Sequence, residues 1–373
     1  MSVKSNEVAN VIRRAAPEYL AESWDNVGMQ IGSRDKVVEK VLLTLDVTEE
    51  VVDEAVEGGF DMIISHHPFI FQGLRKIDTD DFKGKMVKKL LAHDICVYAA
   101  HTNLDKAELG LNDYIARRFE LDERSILKPD LDTRLYKIVV YVPTDYTDRI
   151  LKVLGDGGAG FTGERYSHCS FRVRGTGSFK PLEGAHPFIG EPGEVVTVQE
   201  DQVETIVDGR ILKDLFPKLQ EAHPYEDMAY DLYPVEQAEI CAKSGLGKIG
   251  MLEKEMTPDE FIEHTKKVLN VRHLRTAGIA PEKISRVALC TGSGAEFIGL
   301  AKVRNADVFV TGDLKYHDAQ RALENGMWVI DAGHFGTEKQ VVNLLEEMIR
   351  EGLPENSVQT EVSSRNEDFF KNY

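Results

Sequence analysis

The sequence predicts an α/β protein made of two similar halves with helix-covered sheets, separated by an inserted α+β domain. Three observations lead to this prediction. Buried strands alternate with helices in both terminal parts of the chain, these two parts match each other in sequence, and the middle part has a different order of elements. The predicted boundaries are 1–131 for the first half, 132–240 for the insert and 241–373 for the second half.

The first half contains short apolar runs of the kind found in strands that are buried on both faces. These runs are VLLTLDV (41–47), DMIIS (61–65) and ICVYAA (95–100). Helices are predicted between them over 48–58 and 83–93, and the earlier helix has a threonine cap, acids in its first turn and a closing glycine. This alternation indicates a parallel sheet covered by helices.

The second half repeats the pattern of the first. Residues 41–68 align without gaps on 287–314 at an offset of 246, and the apolar strand positions coincide. A register change to an offset of 233 then places AAHTNLD (99–105) on AGHFGTE (332–338). Two similar α/β halves usually pack about a pseudo-twofold axis, so we expect the carboxyl ends of their strands to face one cleft.

The middle segment has a different character. From Leu135 to about Pro234 the pattern is strand, helix, strand, then strand, helix, strand. This is the ferredoxin-like order, in which four strands form one sheet and two helices cover one face. We therefore predict a ferredoxin-like domain inserted into a connection of the core, where insertions are tolerated.

Composition excludes several classes of protein. Lys and Arg number 45 against 63 Asp and Glu, a formal net charge of −18. Nucleic acid is therefore not an expected partner, because phosphate contacts need clustered basic residues. Four widely spaced cysteines indicate a reducing compartment, and the chain has neither a signal-peptide pattern nor a membrane-spanning apolar run. We expect a cytoplasmic globular protein.

Histidines and carboxylates follow the predicted strands. His66 and His67 come directly after the strand 61–65, and the motifs HTNLD (101–105) and HFGTE (334–338) begin where two later strands end. In a helical loop, residues four apart lie on one face, so each motif can present a histidine and a carboxylate together. Such side chains are ligands for zinc, manganese or iron. The sequence thus predicts a metal cluster with enough ligands for two ions.

Three other patterns are weaker. GLGKIG (245–250) has the glycine spacing of a dinucleotide site, but no strand–helix–strand unit surrounds it. TGSG (291–294) lies between a strand and a helix, and there a plain turn is favoured over an anion site. For HPYED (223–227) a helix end held by proline is favoured over a ligand cluster.

Five motifs together resemble the type 2 GTP cyclohydrolase I family, also called Nif-three-like proteins. They are WDNVG (24–28), SHHP (65–68), HTNLD (101–105), TGDLKYHDA (311–319) and GHFGTE (333–338). Residues 1–130 and about 240–373 resemble the family core. The middle segment resembles the insert of the longer bacterial members, which is similar to trimeric PII/CutA-type signalling domains.

The resemblance implies an α/β fold, a ring-shaped homo-hexamer in the cytoplasm and a dinuclear site for divalent metal ions. The ligands that it implies are His66, His67, Asp105, His334 and Glu338, with Glu338 touching both ions.

Two functions remain open. The first is a metal-dependent hydrolase of a nucleotide-like substrate such as GTP, in which the ions activate water for attack on an electrophilic carbon. His101 is then the expected group for proton transfer, with His317 in reserve. The alternative is a metal-binding regulatory protein or metal chaperone without turnover.

Overall fold

The computed structural model describes residues 2–130, 135–161, 166–235 and 244–371. The chain divides into two compact units. The core unit comprises Met1–Asp130 with Ala242–Tyr373, and the insert unit comprises Leu131–Cys241. The class is mixed α/β with several sheets, as the sequence predicts.

The first part of the core unit is built around buried parallel strands. Its strands are β1 (Val3–Lys4), β2 (Gly28–Ile31), β3 (Val37–Val38), β4 (Lys40–Thr44), β5 (Met62–Ser65), β6 (Cys96–Ala99) and β7 (Leu121–Pro129). Its helices are α1 (Ser5–Ala15), α2 (Glu49–Glu57), α3 (Phe82–Ala92), α4 (Thr102–Lys106) and α5 (Leu111–Arg118). Helix α2 begins as predicted, because the Thr48 side chain accepts a hydrogen bond from the backbone N–H of Val51.

The insert unit contains one antiparallel sheet and two helices among its described residues. They are β8 (Leu135–Pro143), α6 (Thr147–Asp156), β9 (Phe171–Phe179), β10 (Val196–Asp208), α7 (Leu212–Ala222) and β11 (Tyr230–Val235). The strands lie in the order β11-β8-β10-β9. Ile138, Val203, Leu154 and Leu219 belong to one buried cluster, which joins the sheet to both helices.

The second part of the core unit returns to alternating strands and helices. Its strands are β12 (Gly245–Met256), β13 (Arg275–Ala277), β14 (Ile284–Ser293), β15 (Val308–Gly312), β16 (Trp328–Asp331) and β17 (Gln359–Val362). Its helices are α8 (Pro258–Leu269), α9 (Ile298–Val303), α10 (Tyr316–Glu324), α11 (His334–Glu338) and α12 (Val341–Gly352). The glycines of GLGKIG lie in strand β12, and α8 starts separately from a capping box of Thr257 and Glu260.

Two sheets of the core unit contain the repeated strands. One has the order β17-β4-β5-β6-β2 and the other β13-β16-β15-β14-β12-β7. Strands β4, β5 and β6 are parallel neighbours, as are β14, β15 and β16. Each sheet also takes one strand from the other half of the sequence, since β17 pairs with β4 and β7 with β12. The two halves therefore form one unit.

A single buried cluster joins these two sheets. Leu43 and Ile64 from the first sheet and Val310 and Ile330 from the second belong to it, together with Phe119 after helix α5. Burial of so much apolar surface fixes the relative position of the two sheets.

Two further properties concern membranes and thiols. Within the described parts of the chain, no helix combines the length and apolar character needed to cross a bilayer. Cys96, Cys169 and Cys290 are free thiols, and Cys241 lies outside the described residues.

Candidate metal centre

The candidate site begins at the carboxyl ends of the parallel strands in the first half. Ser65, the last residue of β5, lies opposite Ala99 at the end of β6. His66 and His67 follow Ser65, and His101 follows β6 at the start of helix α4. Because neighbouring parallel strands end at the same edge, the three imidazoles lie together, with ring centroids of His66 and His67 5.2 and 5.4 Å from that of His101.

The second half contributes in the same way. Strand β15 ends at Gly312 and is followed by Asp313, and His334 follows strand β16 at the start of helix α11. The helical turn places Glu338 beside His334, with the Glu338 Oε2 atom 2.9 Å from His334 Nε2. Helix α4 carries Asp105 in the equivalent position of the first half.

Glu338 lies between two groups of ligand atoms. Its Oε2 atom is 3.1 Å from His67 Nε2 and 2.9 Å from His334 Nε2. Its Oε1 atom is 4.0 Å from His66 Nε2, which in turn lies 3.6 Å from Asp105 Oδ1. The five residues are thus brought together, with the two oxygens of one carboxylate facing different partners.

The imidazoles of His66 and His67 are each fixed through Nδ1. The Nδ1 atom of His66 is 2.7 Å from the carbonyl oxygen of Ala100, so Nδ1 carries the proton and donates it. The Nδ1 atom of His67 is 2.8 Å from Asp46 Oδ1. In both residues Nε2 faces Glu338. Outer partners of this kind orient histidines that bind metal ions.

His334 and His101 have the same arrangement. His334 Nδ1 lies 2.8 Å from Asp313 Oδ2, and His101 Nδ1 lies 2.9 Å from Asp25 Oδ1. The Asp25 carboxylate also accepts hydrogen bonds from the backbone and side chain of Thr102. Burial opposes its charge, but these bonds lower the pKa of Asp25 to about 2, so it stays ionised behind His101.

Two buried atoms at the site lack hydrogen-bond partners among the residues that the structure describes. They are His66 Nε2 and Asp105 Oδ1. Buried polar atoms nearly always have a hydrogen-bond partner. The lone pair of His66 Nε2 and the Asp105 oxygen face each other without one among the described residues, and this arrangement fits a cation between them. Gly292 also leaves room there, since a Cβ on this residue would lie 2.2 Å from Glu338 Oε1. The residues present therefore fit a metal centre.

Burial dominates the electrostatics of one side of the site. It lowers the pKa of His66 to about 3, which keeps its Nε2 lone pair available. Burial also raises the pKa of Asp105 well above its usual value, and the nearby Glu338 charge raises it further. Two carboxylates that repel each other in a buried place are stabilised by a divalent cation.

Hydrogen bonds to carboxylates dominate the other side. Burial disfavours a charge on His67, but Asp46 and Glu338 outweigh it and raise its pKa to about 10. Burial is likewise outweighed at His334, whose pKa Glu338 and Asp313 raise to about 9. In return, bonds from His334 and His67 overcome burial and lower the pKa of Glu338. Without metal, Glu338 therefore lies between two imidazolium groups.

His317 is placed apart from this arrangement. It is exposed on helix α10, and the partners found for its imidazole are Gln320, 3.4 Å from Nδ1, and the neighbouring Tyr316 ring. It is in neither of the two groups of potential metal ligands formed by described residues, which are His66, His67 and His101, and His67, His334 and Glu338. Its reserve catalytic role has no support from these contacts.

The weaker patterns have local explanations. Three amides of TGSG donate to side chains, namely Thr291 N to Asn112, Gly292 N to Thr337 and Gly294 N to Thr311. These bonds favour the plain turn. His223 has both ring nitrogens in hydrogen bonds, with the Tyr141 carbonyl and the Tyr225 amide, which favours a structural role over metal ligation.

Sequence reasoning missed the outer partners Asp46 and Asp313. One signal was available, because the offset of 246 places Asp313 on His67. The repeat thus put a polar residue at the equivalent strand end of the second half, where it now holds His334.

Comparison with known proteins gives a consistent result. The profile of the family Duf34/NIF3 (NGG1p interacting factor 3) matches residues 3–368. A Bacillus subtilis protein named GTP cyclohydrolase 1 type 2 homolog is 44% identical over 352 residues, which are 94% of this chain and 91% of the relative. A protein of the same name from Halalkalibacterium halodurans is 41% identical over 355 residues, covering 95% of this chain and 94% of the relative.

A solved structure agrees with the sequence relatives. The crystal structure of a Bacillus cereus protein related to NIF3 is 39% identical, covers 100% of both chains and has a TM-score of 0.77. The match spans nearly the whole chain in each comparison. The chain belongs to the Duf34/NIF3 family, as the five motifs of its sequence indicate.

Proposed function

We propose that the core unit is a dinuclear-metal-dependent hydrolase of a nucleotide-like substrate. The observation that carries this proposal is the position of Glu338, whose Oε2 faces His67 and His334 while its Oε1 faces His66. A carboxylate placed between two ligand groups is the arrangement that two neighbouring ions share. His66 and Asp105 would hold one ion, His67 and His334 the other, and Glu338 both.

The chain's own residues set the conditions for the reaction. Two divalent ions supply Lewis acidity and make water a nucleophile at neutral pH. The described ligands are histidines and carboxylates, which suit zinc, manganese and iron alike. Asp46 and Asp313 orient His67 and His334 through Nδ1, so that both Nε2 atoms face the centre.

His101 is our candidate for proton transfer. One ring nitrogen of His101 belongs to a group in which the ligand atoms of His66, His67 and His101 lie within 4.8 Å of one another. Asp25 accepts a hydrogen bond from Nδ1, which orients the ring and leaves its other nitrogen for proton transfer. Asp25 acts through His101 and is a positioning residue.

Assay of GTP ring opening by the metal-loaded protein tests this function. The name of the curated relatives makes GTP the first substrate to try. We expect turnover that chelation abolishes, a loss of roughly 100-fold or more in kcat for His101→Ala when it is compared with the wild type at equal metal content, and a smaller loss for Asp25→Asn. Fully loaded protein without turnover of any nucleotide would instead favour a metal-binding regulatory protein or metal chaperone.

The insert and the assembly complete the proposal. Across the sheet of the insert unit, the strands follow the order β11-β8-β10-β9, which are the fourth, first, third and second strands of the insert in the sequence. This order supports a ferredoxin-like domain.

The family resemblance supports a cytoplasmic homo-hexamer. Light scattering should give about six times the chain mass of 41.9 kDa. A mass near one chain contradicts the hexamer.

A further inference from the structure

An exposed pair of aromatic rings lies next to the candidate metal centre. The Trp24 and Phe71 side chains are 57% and 49% exposed, and their ring centroids are 5.9 Å apart with planes inclined at 51°. Trp24 also contacts His101 edge-on, with centroids 6.1 Å apart. Large exposed aromatic residues are costly in water, and where they lie together they mark binding surfaces.

The rings form a continuous series from solvent to the metal ligands. Trp24 contacts His101, and the His101 centroid lies 5.2 Å from that of His66 and 5.4 Å from that of His67. A molecule lying against Trp24 is therefore one imidazole away from the ligand cluster. A planar ring lying on the indole therefore has one edge directed toward His101 and the ligand cluster.

The segments that carry both rings are tied in place. The Asn26 side-chain amide donates to the carbonyl oxygen of Ile70, and the Ile70 amide donates to Gln30 Oε1 at 2.9 Å. Gln30 in turn donates to the Asn26 carbonyl at 2.8 Å. Hydrogen bonds thus connect the segment next to Trp24 with the segment next to Phe71. Aromatic rings that are held in position lose little conformational entropy when a ligand binds.

We infer that Trp24 and Phe71 form the subsite that stacks on the planar heterocyclic base of the substrate. This inference rests on the proposed metal centre, and it names the part of the substrate that the two aromatic residues beside that centre recognise. Stacking accepts any base, because every base has a π-face, whereas a sugar phosphate without a base has no aromatic ring to stack. Discrimination between base-containing and base-free ligands is therefore the property to measure.

Binding of guanosine 5′-monophosphate to the metal-loaded protein tests the inference without requiring turnover. The chain has two tryptophans, and Trp328 is buried at 4% exposure. Ligand stacking should therefore quench Trp24, and this quenching should be absent in Trp24→Phe. Ribose 5-phosphate should bind much more weakly and leave the fluorescence unchanged.

Variants measured by calorimetry separate the possible outcomes. Trp24→Ala should weaken nucleotide binding roughly 5- to 150-fold, the range for loss of one base–aromatic stack, and Phe71→Ala should weaken it less. Phe370→Ala removes an aromatic ring of 79% exposure from the C-terminal segment and should change nothing. Unchanged affinity in Trp24→Ala, or equal affinity for ribose 5-phosphate, overturns the inference.

Three further outcomes separate this inference from a contact between copies and from the proposed hydrolase function. If Trp24→Ala changes the mass in light scattering but not the affinity, the rings belong to a contact between copies and the inference is wrong. If stacking is found but GTP is not hydrolysed, the subsite stands and the proposed hydrolase function fails. If GTP is hydrolysed with an unchanged KM in Trp24→Ala, the function stands and the subsite fails.

Discussion

Glu338 Oε2 lies 3.1 Å from His67 Nε2, although the two residues are 271 positions apart along the chain. The contact joins the first half of the repeat to the second at the edge where their parallel strands end. Because β7 and β17 are exchanged between the sheets, this distance is set by the packing of the whole core unit. Substitutions that disturb the packing of either half are therefore expected to change the distance between His67 and Glu338.

The first prediction concerns the number of ions. Glu338→Ala should lower the content of both ions, because each Glu338 oxygen faces a different ligand group. His66→Ala or Asp105→Ala should mainly remove one ion and His334→Ala the other. Elemental analysis after reloading measures the content, with the exposed His93→Ala as a control that keeps both. A wild-type content of no more than one ion per chain contradicts the dinuclear site.

The second prediction concerns Gly292, which is not itself one of the proposed metal ligands. Its φ is +64°, and an added Cβ would lie 2.2 Å from Glu338 Oε1. Gly292→Ala should strain the backbone by about 1–2 kcal/mol and displace the Glu338 carboxylate, so metal content should fall. Gly299→Ala is the matched control, because it lies in helix α9 with open space around its Cβ and should bind metal normally. Full metal content in Gly292→Ala would show that Glu338 can bind from another position.

The third prediction concerns protons released by metal binding. In the metal-free protein the pKa values of His67 and His334 are raised to about 10 and about 9, so both imidazoles are protonated at neutral pH. A divalent ion binds imidazole only after the proton leaves, so affinity should rise as the pH increases toward 9. Calorimetry in buffers of different ionisation enthalpy counts the protons released at neutral pH.

A variant checks the origin of these protons. Asp313→Asn removes one of the carboxylates that raise the pKa of His334 and should therefore reduce the number of protons released. Metal binding that is independent of pH between neutral pH and about pH 9 would contradict protonated ligands in the metal-free state.

The sequence could predict where the strands that carry the site end, because strand bounds depend on the local pattern of apolar residues. The strand predicted over 61–65 is observed as Met62–Ser65, and that predicted over 95–100 as Cys96–Ala99. Parallel strands end at one edge by geometry, so His66, His67 and His101 had to lie near each other. The repeat then indicated the position of His334 and Glu338 in the second half.

The sequence could not predict features that depend on distant pairing. Strand β17 joins β4 across more than half of the chain, and no local pattern specifies that partner. The bond from His67 Nδ1 to Asp46 likewise needs two strand ends to meet. In the sequence, Trp24 is one residue of the WDNVG motif, and only the fold places it next to His101.

The last prediction concerns the insert unit. In the core unit, β7 and β12 form an antiparallel pair in which Pro129 lies opposite Gly245, and the Asp130 amide donates to the Ser244 carbonyl at 2.8 Å. The two chain ends that enter and leave the insert are therefore adjacent. A short turn containing glycine can join them as a β-hairpin.

Replacement of residues 131–243 by such a turn should leave a folded core that still binds two ions. The five proposed ligands and the repeated strands all lie in the core unit, and the closure entropy of a connection changes by only about 0.6 kcal/mol per doubling of its length. Metal analysis and thermal unfolding measure the outcome, with Glu338→Ala in the shortened chain as the control of lowered metal content. An insoluble or metal-free product would mean that the segment belongs to the core and that the predicted boundaries are wrong. If the shortened chain binds both ions and only its turnover or its response to small molecules changes, the insert regulates a centre that is complete without it.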